Sequence, residues 1–238
     1  MDPAQHLDHL RREASALLAA YHADPAAPVL SCPGWARADL LAHVSGVHAW
    51  VRAQLALGTT ERVRLSSVAG PPDGEDLGSW FEAGAAELVA GLETMDTDAM
   101  WPTWAGPQPG TFYPRRMAQE TAVHHWDAEP DHPLDPVLAV DGVNEHLELF
   151  APRIPGERFD GAHGTLHLHA TDIDGEWLVR LTAEGIEFEH GHTKGDVALR
   201  GTASDLLLWA WNRVPVDGRF EVFGDDALLA TWRQTVVI

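Results

Sequence analysis

The chain has 238 residues, of which 36 are Asp or Glu and 16 are Lys or Arg, so its formal net charge is −20. Phosphate backbones and anionic lipid surfaces repel such a protein, which argues against nucleic-acid and membrane partners. A hydrophobic content of 45% with ten tryptophans is enough for a globular core. Cys32 is the only cysteine and Lys194 the only lysine. An internal disulfide and a thiolate metal site are therefore excluded.

The N-terminal segment and the hydropathy of the chain bear on its location. Residues 1–10 lack the basic-then-apolar layout of a signal peptide, and no apolar run approaches the roughly 20 residues that span a bilayer. A single cysteine also suits a reducing compartment. We therefore expect a cytoplasmic protein.

The first part of the chain has apolar residues at helical spacing. The first predicted helix begins at Asp2-Pro3, the second covers Leu40–Leu55 and ends at Gly58, and the third covers Leu77–Leu92. The fourth runs from about Pro114 to Glu129, and the fifth from about Asp135 to Phe150. Loops are predicted at 71–74 and at Trp101–Gly110, which carries three prolines and two glycines. These elements predict a helical bundle.

The pattern changes to alternation after Pro155. Strands are predicted at 165–170, 177–181, 186–189 and 197–200, followed by a helix at about 204–212, a strand near 220–223 and a helix from Asp225. The sequence thus predicts an α+β protein with a helical domain at 1–155 and a smaller domain at 156–238. No internal repeat is found.

Motifs for nucleotide and protease chemistry are missing. The sequence has no glycine-rich phosphate loop, no Gly-x-Ser-x-Gly elbow and no His-Glu-x-x-His signature. Nucleotide-driven chemistry is therefore unsupported.

The helix predicted at 114–129 carries four polar residues on one face. Arg116, His124 and Asp127 all lie within about 40° of Glu120 on a helical wheel. Glu120 and His124 are one turn apart, so both side chains can reach one ion, and their donor atoms suit zinc or a similar divalent metal. A third ligand must come from another helix. The alternative is a solvated Glu–His pair on the helix surface.

The helix before Gly58 offers two histidines, His43 and His48. His43 lies about 60° from Leu40 on the wheel, at the edge of the apolar stripe, and is the better candidate for the third ligand. Three ligands without a thiolate leave an open position, which is the catalytic zinc pattern. Asp127 is then a candidate for orienting a ligand histidine. The alternative is that His43 is a packed core residue.

The other histidines receive weaker assignments. His125 points away from the Glu120 face and is expected to pack or to lie at the surface. His167 and His169 share one strand face, which ordinary strand polarity explains better than metal binding. His163, His190 and His192 fall in predicted turns and are given no role.

Several segments together resemble the mycothiol-dependent maleylpyruvate isomerase family, a group of DinB-like metal-binding four-helix bundles. The motifs that carry the resemblance are Cys32-Pro33-Gly34-Trp35, Asp39 to His43, Arg116 to Asp127, Asp141 to Leu147, Arg200 to Leu207, and Val222 to Asp225. The resemblance covers nearly the whole chain. It implies an up-down four-helix bundle followed by a sterol-carrier-protein-like domain, with His43, Glu120 and His124 as zinc ligands.

The resemblance also implies a reaction class. Mycothiol would be the thiol cofactor and nucleophile, and the substrate a small electrophile that is isomerised or receives the thiol. Arg116 is a candidate for binding a substrate carboxylate, as are Arg200 and Arg213, although all three can instead be surface residues. We assign catalytic roles to Arg116 and Asp127.

Two functions follow as hypotheses. The first is a zinc- and mycothiol-dependent isomerase or thiol transferase, similar to maleylpyruvate isomerase, that acts as a monomer or homodimer. The second is a non-catalytic module that binds a metal and a ligand. A metal with three protein ligands favours the first, and a saturated or metal-free site favours the second.

Overall fold

The computed structural model describes residues 1–72 and 74–236. Asp73, in the loop predicted at 71–74, and the last two residues of the chain lie outside the described residues. The chain forms two compact units, Met1–His132 and Pro133–Ile238. The division falls before the predicted fifth helix, whereas the sequence placed it between residues 155 and 156. That helix packs on a helix of the second unit, and the Leu134 amide just before it donates to Ser204 Oγ at 2.9 Å.

The first unit contains four long helices and a small hairpin. The helices are α1 (Pro3–Ala23), α2 (Arg37–Leu57), α3 (Leu77–Thr94) and α4 (Phe112–Ala128). Carboxylates cap three of these helices: Asp2 accepts from the Gln5 amide, Asp39 from the Ala36 amide, and Asp76 from the Ser79 amide. Helix α4 is buried along most of its length and packs on α1 and α2.

The segment predicted as a loop at Trp101–Gly110 forms a two-stranded hairpin, and that prediction was wrong. Strand β1 (Met100–Thr103) pairs antiparallel with β2 (Gly106–Pro109). Gly106 supports the turn with a φ of +91°. Side chains outside the ladder supply further hydrogen bonds, since Trp101 Nε1 donates to the Asp96 carbonyl and Tyr113 donates to the Pro102 carbonyl, each at 2.9 Å.

The second unit is a five-stranded sheet with three helices, in the strand order β5-β4-β3-β6-β7. Its elements are α5 (Pro136–Glu145, followed by a π-helical turn at His146–Phe150), β3 (Gly164–Ala170), β4 (Glu176–Leu181), β5 (Ile186–His190), β6 (Val197–Gly201), α6 (Ala203–Ala210), β7 (Glu221–Gly224) and α7 (Ala227–Thr235). Only the β3–β6 pair is parallel among these strands.

The sheet has a buried face and a face that carries polar side chains. Leu166 and Leu168 of β3 are fully buried, and His167 and His169 alternate with them. Helices α6 and α7 contact β3. The helical first unit and mixed-sheet second unit confirm the predicted α+β class. Within the described part of the chain, no helix combines the length and the apolar character needed to cross a membrane.

Candidate metal centre

Three side chains of the first unit converge where α2 and α4 pack together. One donor atom from each of His43, Glu120 and His124 lies within 4.8 Å of the other two. Glu120 Oε1 is 3.4 Å from His43 Nε2 and 3.3 Å from His124 Nε2. The structure thus brings together the three predicted metal ligands.

The helices explain this convergence. Glu120 and His124 are one turn apart on α4, so their side chains project from the same strip of its surface. On α2, the neighbouring Leu40 and Val44 are fully buried, which fixes the face that this helix turns to the core. His43 sits at the edge of that face with 36% of its side chain exposed. The trio is therefore held by packed helices and is open to solvent at His43.

Two further residues of α4 position the trio. Asp127 is fully buried, and its Oδ2 lies 2.9 Å from His124 Nδ1. A proton on His124 Nδ1 then leaves Nε2, which faces Glu120, available as a metal donor. Arg116 Nη2 donates to Glu120 Oε2 at 2.6 Å, and the Arg116 side chain is only 5% exposed. One carboxylate oxygen is thus engaged by Arg116, while the other faces both histidines.

These contacts shift the pKa values of the site. Burial acts to raise the pKa of Glu120, but His124, His43 and Arg116 outweigh it and hold that pKa well below its usual range. Burial acts to lower the pKa of His124, but Glu120 and Asp127 raise it to about 9. In the absence of a metal, His124 is thus cationic and Glu120 is anionic.

The donor set fits a divalent transition metal. Two imidazole nitrogens and one carboxylate oxygen are typical ligands of zinc, and they lie close enough to share one ion. Three protein ligands leave a coordination position for an exogenous group, as in catalytic zinc sites. The buried Asp127 behind His124 matches the carboxylate–histidine arrangement that supports many metal ligands.

Trp35 and Trp50 flank His43 in the sequence, but they lie in different places. The Trp35 ring lies 5.3 Å from the His43 ring, so it covers one side of the site. Trp50 instead contacts Tyr113, and its indole nitrogen donates to the Val63 carbonyl at 2.9 Å.

His48, the alternative ligand on α2, has a structural role. Its Nε2 lies 2.9 Å from Thr121 Oγ1, and its ring stacks on Phe81. Burial lowers the pKa of His48 to about 4, so the ring is neutral near pH 7. His48 therefore joins α2, α3 and α4 as a buried neutral histidine.

The other predicted residues are not members of the His43, Glu120 and His124 group. His125 is buried and packs as expected, with its Nδ1 2.6 Å from Glu13 Oε2. Cys32 is partly buried and packs against the core of α1 and α2. Arg200 and Arg213 belong to the second unit, where Arg200 pairs with Glu221 at 2.8 Å and Arg213 donates to the Trp211 carbonyl.

One group of candidate metal-binding residues was not predicted from the sequence. His167, His169, Glu176 and His192 come together on the sheet of the second unit. Its sequence signal was the pair His167 and His169 on one strand face. The positions of Glu176 and His192 depend on strand pairing, which the sequence did not reveal.

Two models of one known protein family match this chain. A family model for the mycothiol maleylpyruvate isomerase N-terminal domain matches residues 7–129, and a model for the C-terminal domain of the same family matches residues 137–231. The chain belongs to the mycothiol maleylpyruvate isomerase family. The resemblance drawn from the sequence motifs is thereby confirmed.

Solved structures of this family share the fold. The crystal structure of a mycothiol-dependent maleylpyruvate isomerase has a TM-score of 0.63 and 16% identity, and covers 93% of each chain. The crystal structure of a His-to-Ala mutant of such an isomerase has the same TM-score and coverage with 14% identity. No curated protein sequence matches this chain. At this identity the family structures establish the fold, and the ligand roles of His43, Glu120 and His124 remain a prediction.

Proposed function

We propose that this protein is a metal-dependent enzyme that uses mycothiol as the nucleophile toward a small electrophile, in a reaction like that of maleylpyruvate isomerase. The observation that carries the proposal is the convergence of His43, Glu120 and His124 at the α2–α4 contact. Membership of the mycothiol maleylpyruvate isomerase family supports the choice of mycothiol as the thiol and of an isomerase-like reaction.

His43, Glu120 and His124 would hold the metal, with zinc as the expected ion. Such an ion supplies a Lewis acid that lowers the pKa of a bound thiol, as zinc lowers the pKa of bound water. The open side of the site at His43 allows a small thiol to approach.

The chain's own residues prepare the site. Asp127 holds His124 in one orientation through the 2.9 Å contact at Nδ1. Arg116 fixes the Glu120 carboxylate through its bond to Oε2. The burial and pairing of Arg116 favour a positioning role over its predicted role in binding a substrate carboxylate. Both residues are therefore proposed to act through the ligands rather than on the substrate.

The scarcity of protein nucleophiles supports an external thiol. Cys32 is the only thiol of the chain and is partly buried beside the helical core. Lys194 is the only lysine and lies exposed in the second unit after β5. In an isomerisation, an external thiol adds to the conjugated double bond, allows rotation about the resulting single bond, and is eliminated unchanged. In a transfer, the thiol stays on the electrophile.

Turnover of zinc-loaded protein tests this proposal. The protein is incubated with mycothiol and maleylpyruvate, and with a panel of other electrophiles. Cis-to-trans conversion is followed by absorbance and thiol adducts by mass spectrometry. We expect conversion or adduct formation that requires mycothiol.

Single-histidine variants test whether turnover depends on the trio. Loss of a group that merely orients a metal ligand costs about 10–100-fold, so His43→Ala is expected to lower turnover by at least about 100-fold. His22→Ala removes an exposed histidine of α1 and should leave turnover unchanged. Zinc bound at the trio with no mycothiol-dependent reaction for any substrate would favour the binding-module hypothesis. Full turnover by His43→Ala would contradict the proposed site.

A further inference from the structure

The sheet of the second unit carries a second group of metal-binding side chains. His167 and His169 project from β3, and Glu176 of β4 pairs directly opposite His169. His192 follows β5 and reaches the same place. One nitrogen or oxygen from each of the four side chains lies within 4.8 Å of the others.

Glu176 lies at the centre of this group. Its Oε2 is 3.0 Å from His167 Nε2 and 2.6 Å from His192 Nδ1, and its Oε1 is 3.3 Å from His169 Nδ1. The centres of the three imidazole rings are 5.3 to 6.2 Å apart. Three imidazoles thus surround one carboxylate, with their nitrogens directed inward.

Strand polarity explains only part of this arrangement. Alternation along β3 accounts for two polar side chains on the outer face of the sheet. Alternation does not explain why Glu176 of β4 and His192 after β5 lie beside these two histidines. The group therefore draws its four side chains from three chain segments.

The surroundings allow a cation to enter and to stay. The His192 side chain is 77% exposed, whereas that of His167 is 8% exposed, so the group runs from the surface into the sheet. Arg200 is the register partner of His169 on β6, but its guanidinium is paired with Glu221 at 2.8 Å. The net charge of −20 also favours cations over anions near the protein.

We propose that His167, His169, Glu176 and His192 form a second metal site, which binds zinc or a similar divalent transition metal. Three imidazoles and one carboxylate are a borderline donor set that suits zinc, cobalt, nickel or copper and does not suit magnesium or calcium. Four protein ligands fill a tetrahedral shell, as in structural zinc sites. The bound ion would link the segment after β5 to β3 and β4 and so stabilise this edge of the sheet.

A third histidine group in the first unit is a weaker candidate. Glu13, His125 and His132 also bring donor atoms within 4.8 Å, but they offer three ligands. The two rings stack with centroids 4.1 Å apart, and His132 Nδ1 lies 2.5 Å from the Glu129 carbonyl oxygen.

Zinc titration of the full-length chain tests the proposal independently of the enzymatic function. Metal-free protein is titrated with zinc against a chromophoric chelator, and zinc per chain is measured after dialysis. The variants are His43→Ala, His192→Ala and the double variant. His190→Ala is the control, because it removes an exposed histidine of β5 that lies outside the group.

We expect His192→Ala to lose one zinc equivalent that His43→Ala retains, or to bind that equivalent at least about tenfold more weakly. His190→Ala should bind zinc as the unmodified chain does. Since His192 is exposed, its replacement should not affect folding, which circular dichroism checks. Glu176→Gln provides a second test and should weaken the same equivalent.

Two results would overturn the proposal. One is unchanged zinc binding in both His192→Ala and Glu176→Gln, and the other is an equal loss in His190→Ala. Failure of the trio at α2 and α4 would appear separately, as zinc binding that His43→Ala does not alter.

Discussion

The two units each bring histidines and a glutamate together, but they hold these groups in different ways. In the first unit, Glu120 meets two histidines and is also bonded to the buried Arg116. In the second unit, Glu176 meets three histidines and is the acceptor that they share. The first group thus has three donors with supporting residues behind them, and the second has four donors near the surface.

This difference indicates different tasks. Buried supporting residues fix the orientation of ligands, and an incomplete ligand set leaves a position for a reacting group. That combination suits chemistry on a bound small molecule. A complete ligand set near the surface suits a metal that stabilises a fold. The same residue types therefore predict catalysis in the helical unit and structural binding in the sheet.

The largest expected effect concerns Arg116. Arg116→Gln removes one of the two cations beside the Glu120 carboxylate in a mostly buried site, so we expect the free energy of unfolding of the metal-free protein to fall by about 3 kcal/mol. Arg11→Gln is the control, because the pairs that Arg11 makes with Asp8 and Glu93 are exposed and worth no more than about 1 kcal/mol each. Urea denaturation followed by circular dichroism measures both. Equal losses in the two variants would show that Arg116 does not support Glu120.

Asp127 tests whether the helical site depends on a buried supporting residue. Asp127→Asn keeps the size of the side chain and removes the charge behind His124, so zinc affinity should fall by about 10–100-fold. The measurement is chelator competition in a chain that also carries His192→Ala, so that the sheet site does not interfere. Asp131→Asn, at an exposed carboxylate of the same unit, should have no effect. Unaltered affinity in Asp127→Asn would mean that His124 needs no such support.

The buried His48 of the first unit should make the stability of the protein depend on pH. Burial lowers its pKa to about 4, with Glu120 opposing and Arg52 adding to that shift, whereas an unfolded histidine has a pKa of about 6.5. Between these values the unfolded state binds the extra proton, so stability is lost as the pH falls from about 6.5 toward 4.

The expected loss from His48 is about 2 kcal/mol between pH 7 and pH 5. His48→Gln removes the titrating ring, so the stability of that variant should fall less over the same range. Denaturation at both pH values compares the two proteins. Parallel pH profiles would show that His48 does not make this contribution.

The smallest effect is expected at Glu176. In the metal-free protein, Glu176→Gln should change the free energy of unfolding by less than about 1 kcal/mol, because the pairs that it breaks are partly exposed. With zinc present, the same change should also reduce the stabilisation that zinc gives to the second unit. Thermal denaturation with zinc and with a chelator measures both quantities. A large loss without metal would indicate that the Glu176 contacts themselves stabilise the sheet.

Local patterns made the helical site predictable. The spacing of Glu120 and His124 is visible within one turn of helix, and the apolar stripe around Leu40 indicates which side of α2 faces the core. The helical wheel placed His43 at the edge of that stripe as the better third ligand, and the family resemblance implied the same three residues. Strand alternation likewise predicted the central strands of the sheet.

Features that depend on pairing between distant segments were not predictable in the same way. The prolines at 102 and 107 suggested a loop, but they lie opposite each other in a short hairpin that needs few ladder hydrogen bonds. Helix α5 follows four helices in the sequence, yet it packs with α6 of the second unit. Glu176 and His192 join His167 and His169 only through the register of β3, β4 and β5.

Anomalous scattering from crystals of the zinc-loaded protein shows where zinc binds, because it locates each ion among its ligands. We predict a zinc ion held by His43, Glu120 and His124, with a non-protein group in the remaining position. The absence of zinc between these three side chains, or a fourth protein ligand that closes the site, would contradict the account.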